Sequence, residues 1–135
     1  MFLASYEREC GYDEAKWRAE LKRGEWVIGT LDDNPVSLVG ITYEESEKRR
    51  YIEYMWVAPR FRRSGIATRM LDFVLDRLYK SGVQEIYLWV LDGNEPAAHL
   101  YKRMGFVSTN VVNWLDEKPG RREEQLALDL SAHGS

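Results

Sequence analysis

The period of the hydrophobic and polar positions changes several times along the 135-residue chain, which predicts a mixed α and β fold. Near the amino terminus, Asp13 is suited to cap a helix that continues to Leu21. Three strands rich in aromatic and β-branched residues follow, bounded by turn-forming or charged residues. The first two are joined as a hairpin. We expect the three strands at residues 25–31, 36–45 and 51–59.

The second half of the chain alternates helices and strands. Apolar residues recur every three or four positions from Ile66 up to Gly82, which predicts one amphipathic helix. The apolar run over 85–91 is nearly continuous, as is typical of a strand covered on both faces. The remaining elements are expected to be a short helix and two strands, at 94–104, 106–114 and 123–130.

A strand, a helix of about 15 residues and a second strand form a crossover unit. The strands that end at Val57 and Val90 should therefore be parallel neighbours in the sheet. Ligands of such units bind beyond the carboxyl ends of the strands. This topology places the segment 59–65, which follows the first of these strands, at a binding site.

Composition narrows the class of protein. The length favours a single domain over residues 1–135, and the net charge of −3 offers no general basic field for nucleic acid. The lone cysteine, Cys10, cannot form an internal disulfide, which fits a reducing compartment. No apolar run reaches the roughly 18 residues of a membrane span. We expect a cytoplasmic protein that does not bind nucleic acid or membranes.

A basic turn precedes the long helix. Arg62 and Arg63 supply positive charge, Gly65 supplies backbone freedom, and the first turn of a helix has unpaired N–H groups that attract anions. The segment is thus suited to a pyrophosphate or another polyanion, although a plain basic surface loop has the same composition. Neither the P-loop pattern nor the Rossmann glycine pattern is present.

Two spaced motifs resemble the GNAT superfamily of acyl-CoA-dependent N-acyltransferases. They are the segments MWVAPRFRRSGIATRML and LWVLDGNEPAAHLYKRMGF. The first matches the pattern V-x-P-x-x-R-x-x-G-x-[GA], and the second matches its companion strand and helix. The matching positions are Val57, Pro59, Arg62, Gly65, Ala67, Val90, Asn94, Ala97, Leu100, Tyr101, Gly105 and Phe106.

The resemblance implies an α/β (α+β) fold with a mixed, largely antiparallel sheet. Its central parallel strand pair would splay around the cofactor, with helices on both faces. The family usually begins with a strand, whereas here the first strand is expected to be short or missing. An upstream start codon and a strand supplied by a partner subunit, as in a homodimer, are both open explanations.

The resemblance also implies acetyl-CoA or coenzyme A as the acyl donor. The strand residues Met55, Trp56 and Val57 would pair with the pantetheine arm. Asn94 would contact the cofactor and would also cap the short helix at 94–104. Capping is the role that its residue type favours. The loop residues that would bind the pyrophosphate are Arg62, Arg63, Ser64, Gly65, Ile66, Ala67 and Thr68.

Tyr101 and Glu53 are the candidate catalytic side chains. By resemblance, Tyr101 is the general acid that protonates the departing thiolate, although spacing alone favours a core aromatic. Glu53 is the only carboxylate in its strand, and regular alternation puts it on the face of Met55 and Val57. An exposed glutamate with a water chain as the base is the alternative. His99 is expected to face solvent, and no metal site is expected.

The expected reaction is N-acetylation of a primary amine, on a small molecule or a peptide, by direct transfer in a ternary complex. A noncatalytic acyl-CoA-binding sensor or interaction module is the alternative from another class. The acceptor itself has no recognisable motif in the sequence, so no particular amine is favoured.

Overall fold

The computed structural model describes residues 24–115 and 121–132, which form a six-stranded sheet and two helices. The helix predicted after Asp13 and the expected short first strand lie outside the described residues. The strands are β1 (Gly24–Leu31), β2 (Asn34–Glu44), β3 (Arg49–Val57), β4 (Glu85–Leu91), β5 (Val107–Trp114) and β6 (Arg122–Asp129). The helices are α1 (Ile66–Lys80) and α2 (Glu95–Arg103), with single 3-10 turns at Pro59–Phe61 and Leu130–Ala132.

The sheet order is β1-β2-β3-β4-β6-β5. All neighbouring strands are antiparallel except β3 and β4, which are parallel and connected through α1. The predicted fold class and the predicted parallel pair are therefore confirmed. Each strand and helix lies within two residues of its expected bounds, because the apolar period and the turn residues mark these elements locally.

Helix α1 packs one apolar stripe on the sheet. Its buried residues recur at intervals of three and four, as the amphipathic pattern predicts. They are Met70, Leu71, Val74, Leu75 and Leu78. Residues of α2 join the same core cluster, so both described helices cover one face of the sheet. The expectation of helices on the other face as well falls outside the described residues.

A β-bulge interrupts the pairing of β2 with β3. Leu38 pairs with Trp56 and Gly40 pairs with Glu53, so two steps along β2 correspond to three along β3. Tyr54 lies at this point with a φ of 58°, in the left-handed region that non-glycine residues seldom occupy. The extra residue reverses which face the following side chains point to.

This bulge corrects one prediction from strand alternation. The residues on either side of Gly40 belong to the core cluster under α1, so Gly40 and its partner Glu53 face the opposite side. Met55 belongs to the core cluster, and Val57 lines a cavity beside α1. The prediction that Glu53 shares a face with Met55 and Val57 was wrong, because regular alternation does not continue across a bulge.

Strands β3 and β4 separate towards their carboxyl ends. Their recorded pairing in the described structure is Tyr51 with Tyr87, close to the start of both strands. Beyond this point β3 continues to Val57 and β4 to Leu91 without further pairing between them. The sheet is thus open between the two strands at the edge where the basic turn lies.

A network of polar side chains lies near the start of β3, where β3 and β4 are paired, on the face of the sheet away from α1. The Tyr51 hydroxyl donates to Glu47 Oε1 at 2.7 Å and accepts from Gln125 Nε2 at 3.2 Å. Thr109 Oγ1 donates to Gln125 Oε1 at 2.8 Å. Burial, with the acceptor Glu47, raises the pKa of Tyr51 to about 12. These bonds satisfy the polar groups buried between β3, β5 and β6.

We predict that Leu75→Ala lowers the free energy of unfolding by about 2–5 kcal/mol, since Leu75 is 0% exposed and its removal leaves a cavity. Phe73→Ala is the matched control on the same helix, because Phe73 is 54% exposed and its loss should cost about 0.5 kcal/mol or less. Urea unfolding followed by circular dichroism measures both. Equal losses for the two variants would contradict the placement of α1.

Candidate functional site

The basic turn connects β3 to α1 through a short and specific backbone path. Arg63 has a φ of 63° and Gly65 a φ of 84°, both in the left-handed region. The Arg62 side chain folds back, and its Nε donates to the Val57 carbonyl at 3.2 Å. The Ser64 hydroxyl donates to the Phe61 carbonyl. The turn is therefore held by its own side chains against the end of β3.

The first turn of α1 is suited to an anion. Gly65 is its N-cap, with no side-chain cap hydrogen bond, and the first turn contains no acidic residue. The N–H groups at the start of a helix lack intrahelical partners and lie at the positive end of its dipole. A Cβ built on Gly65 would meet no atom within 4 Å, so the backbone here is open to a ligand.

A cavity of about 310 Å³ opens beside this turn, between the start of α1 and helix α2. Its wall combines apolar side chains with basic ones, and it includes no carboxylate. The lining residues are Val57, Phe61, Arg62, Arg63, Gly65, Ile66, Ala67, Thr68, Pro96, His99, Leu100 and Arg103. The structure thus brings six of the seven predicted loop residues together on one wall, and Ser64 lies exposed at its edge.

Three other predicted cofactor residues lie apart from this wall. Met55 is buried in the core, and Trp56 is half-buried on the opposite face of β3. Asn94 lines a separate cavity at the start of α2. Its Oδ1 accepts a hydrogen bond from the Ala97 N–H at 3.4 Å, which confirms the capping role. The side chains of Met55 and Asn94 therefore have structural roles that do not depend on a ligand.

Tyr101 is buried on α2. The side chain is 0% exposed, and its ring makes an edge-to-face contact with Phe106 at 5.8 Å between centroids. Among the described residues, no group forms a hydrogen bond with the Tyr101 Oη. Burial raises the pKa of this hydroxyl above its ordinary value. A buried polar atom left unpaired costs stability, so this hydroxyl is a candidate for contact with a ligand.

Glu53 is half-buried on the face of the sheet away from α1. It pairs with Gly40, whose bare backbone is covered by the ring of Trp26. Trp26 in turn stacks on Tyr54, with ring centroids 5.4 Å apart. Glu53 and the cavity wall formed by α1 are consequently on opposite faces of β3, next to the gap between β3 and β4.

Four residues of α2 were not predicted to line the cavity. Pro96, His99, Leu100 and Arg103 recur at intervals of three, one and three, so they share one face of the helix. His99 is exposed, as expected, but it also borders the cavity. The i, i+4 spacing of His99 and Arg103 is visible in the sequence. Their approach to the basic turn depends on how α2 packs against α1.

Two further kinds of feature, a metal-binding group of side chains and a membrane-spanning helix, are not found in residues 24–115 and 121–132. No group of three or more histidine, cysteine, aspartate or glutamate side chains is arranged to hold a metal ion there. In those same ranges, no helix is both long enough and apolar enough to cross a membrane.

Comparison with known proteins relates this chain to one family. The chain is 37% identical to N-alpha-acetyltransferase 50 of Danio rerio over 99 residues, which is 70% of this chain and 59% of that protein. The chain spans between 27% and 59% of the length of the first three curated relatives that it matches.

Solved structures share the fold. The ribosomal-protein-S18-alanine N-acetyltransferase of Escherichia coli superposes with a TM-score of 0.75 at 18% identity, over 88% of this chain and 77% of that one. A GNAT family acetyltransferase of Elizabethkingia anophelis, solved with acetyl-CoA bound, superposes with a TM-score of 0.71 at 15% identity. That alignment covers 87% of this chain and 83% of the other.

The sequence profile described as the Acetyltransferase (GNAT) family matches residues 1–106, which contain both of the spaced motifs and the whole basic turn. This match extends over more than half of the chain, and the largely antiparallel sheet with one parallel pair agrees with it. The chain therefore belongs to the GNAT acetyltransferase family.

Proposed function

We propose that this chain is an N-acetyltransferase that moves an acetyl group from acetyl-CoA to a primary amine by direct transfer in a ternary complex. One observation carries the proposal. The turn at Gly65 is open to an anion and borders a cavity at the end of β3, where that strand has separated from β4. Family membership and the names of the relatives support acetyl transfer as the chemistry.

The residues present fit coenzyme A. Its pyrophosphate needs several donors at one point, which the backbone N–H groups from Gly65 to Thr68 would supply, with Arg63 nearby. Arg62 would act indirectly, because its Nε already holds the Val57 carbonyl and so keeps the turn in shape. The pantetheine arm would lie along the segment from Met55 to Val57, in the gap between the strands.

The transfer step requires stabilisation of a negative oxygen and a proton for the leaving thiolate. The amine nitrogen forms a bond to the thioester carbon, and a backbone N–H near Val57 would stabilise the resulting oxyanion. The carbon–sulfur bond then breaks, and the Tyr101 hydroxyl would donate its proton to the thiolate. The lack of a hydrogen-bond partner for Tyr101 Oη among the described residues supports this assignment.

The attacking amine must first lose a proton. Glu53 lies on the face of β3 away from α1, so as the base it would meet the acceptor from the side opposite the α1–α2 cavity. Acceptor and donor would then reach the gap between β3 and β4 from opposite faces of the sheet. A chain of water molecules is the alternative base, and substitution of Glu53 distinguishes the two.

The acceptor class is a primary amine on a small molecule or a peptide. The name of the Danio rerio relative, N-alpha-acetyltransferase 50, supports an amino-terminal amine as one acceptor to test. This chain matches 59% of the length of that protein. A thiol-release assay with acetyl-CoA against a panel of amines and peptides tests the function directly. A thermal shift with coenzyme A alone, without release of thiol with any acceptor, would instead favour a noncatalytic acyl-CoA sensor.

We predict that Gly65→Ala weakens coenzyme A binding at least about tenfold, or about 1.4 kcal/mol, because the new methyl group would occupy the space of the bound phosphate. Gly82→Ala is the matched control: Gly82 also has a positive φ, of 87°, and open space around it, but lies at the other end of α1. Both variants should lose about 1–2 kcal/mol of stability from backbone strain. Isothermal titration calorimetry should show weakened binding for Gly65→Ala alone.

We predict that Tyr101→Phe lowers kcat at least about a hundredfold while coenzyme A affinity stays within about twofold. Stability should be unchanged or higher, since the variant removes a buried hydroxyl without a partner. Tyr51→Phe is the control, because it removes two hydrogen bonds and should cost about 1 kcal/mol of stability yet keep turnover. Full turnover in Tyr101→Phe would exclude this tyrosine as the acid.

We predict that Glu53→Gln lowers kcat about a hundredfold and leaves acetyl-CoA affinity within about twofold, because the amide cannot accept the proton of the amine. Glu85→Gln is the control for the loss of a negative charge from the sheet. Glu85 is the first residue of β4, at the end away from the gap between β3 and β4. Steady-state kinetics as a function of pH measures the effect. Wild-type kcat in Glu53→Gln would assign proton removal to a water chain.

A further inference from the structure

We propose that Arg103 and His99 form a second anion site, for a phosphomonoester on the ribose of the donor, and make binding selective for coenzyme A over dephospho-coenzyme A. The proposal rests on the proposed function and deepens it. It concerns the α2 wall of the cavity, next to the turn that would hold the pyrophosphate.

The geometry of α2 directs both side chains into the cavity. His99 and Arg103 are one helical turn apart on the same face, and both line the cavity that also includes the first turn of α1. The basic side chains of the cavity wall therefore come from two separate elements. The turn contributes Arg62 and Arg63, and α2 contributes His99 and Arg103.

Arg103 is held in place across the two helices. Its Nη2 donates a hydrogen bond to Thr68 Oγ1 at 3.2 Å, which fixes the guanidinium beside the first turn of α1. Within the described part of the chain, this bond uses one of the five N–H donors of the guanidinium. The remaining donors have the fork geometry that matches phosphate oxygens.

The charge of the wall also favours a second phosphate. The whole chain has a net charge of −3, yet the cavity wall carries three arginines and a histidine without a carboxylate. Coenzyme A carries a pyrophosphate and, on the ribose, a phosphomonoester with a charge of about −1.5 to −2 at neutral pH. The start of α1 and Arg63 would supply donors for the pyrophosphate, so the α2 pair would supply donors for the phosphomonoester.

Dephospho-coenzyme A is the direct probe, because it differs from coenzyme A only by the absence of this phosphomonoester. Calorimetric titration at one fixed ionic strength should give wild-type binding of coenzyme A about tenfold tighter than of dephospho-coenzyme A, or about 1.4 kcal/mol. In Arg103→Gln the ratio should fall to about one or two, through weaker binding of coenzyme A alone. His99→Gln should reduce the ratio by a smaller factor.

Arg77→Gln is the matched control for charge. Arg77 is exposed in the last turn of α1, far along the helix from the cavity, so this variant should keep the wild-type ratio. Arg103→Lys retains the charge without the fork and should keep part of the discrimination. Urea unfolding of each variant verifies that the fold is intact.

Three results would overturn the proposal: equal wild-type affinity for the two compounds, an equal loss for both in Arg103→Gln, or the same fall in the ratio for Arg77→Gln. The second would mean that Arg103 acts only through its contact with Thr68. Binding of neither compound would overturn the proposed function and this inference together. Binding of both without discrimination would overturn this inference alone.

Discussion

The incomplete pairing of β3 with β4 is the constraint on which the rest of the structure depends. The two strands pair at Tyr51 and Tyr87 and then diverge, whereas every other neighbouring pair is antiparallel and registered over most of its length. Parallel strands joined by a helix both end at the same edge of the sheet, so the gap opens where the connection to α1 begins. The bulge at Tyr54 lies on the same strand and puts Met55 and Val57 on the face opposite to Glu53.

Helix α1 connects the core to the site. Its apolar stripe is buried against the sheet, and this packing sets the position of its first turn relative to the end of β3. Three local features make the basic turn suited to an anion: a left-handed Gly65, an arginine bond to the Val57 carbonyl and a helix start without acidic residues. The proposed site would let a slightly acidic protein bind a strongly acidic ligand at one point without a general basic surface.

Two buried tyrosines differ in how their hydroxyl groups are compensated. Tyr51 donates and accepts hydrogen bonds, so its burial is compensated. Tyr101 is buried as well, yet its hydroxyl has no hydrogen-bond partner among the described residues. Phenylalanine would fill the same space in the core without that cost, and this is the ground on which a chemical role for the Tyr101 hydroxyl is proposed.

The sequence by itself determined the order of the described strands and helices, the parallel crossover, the basic turn before α1 and the cap at Asn94, because period, capping residues and glycines act over a few neighbouring positions. Only the tertiary structure decided the face of Glu53, the cavity that Asn94 lines and the position of Arg103 beside Thr68. A bulge depends on the register with another strand, and a contact between two helices depends on how each packs on the shared core. Neither is encoded in the local pattern of one segment.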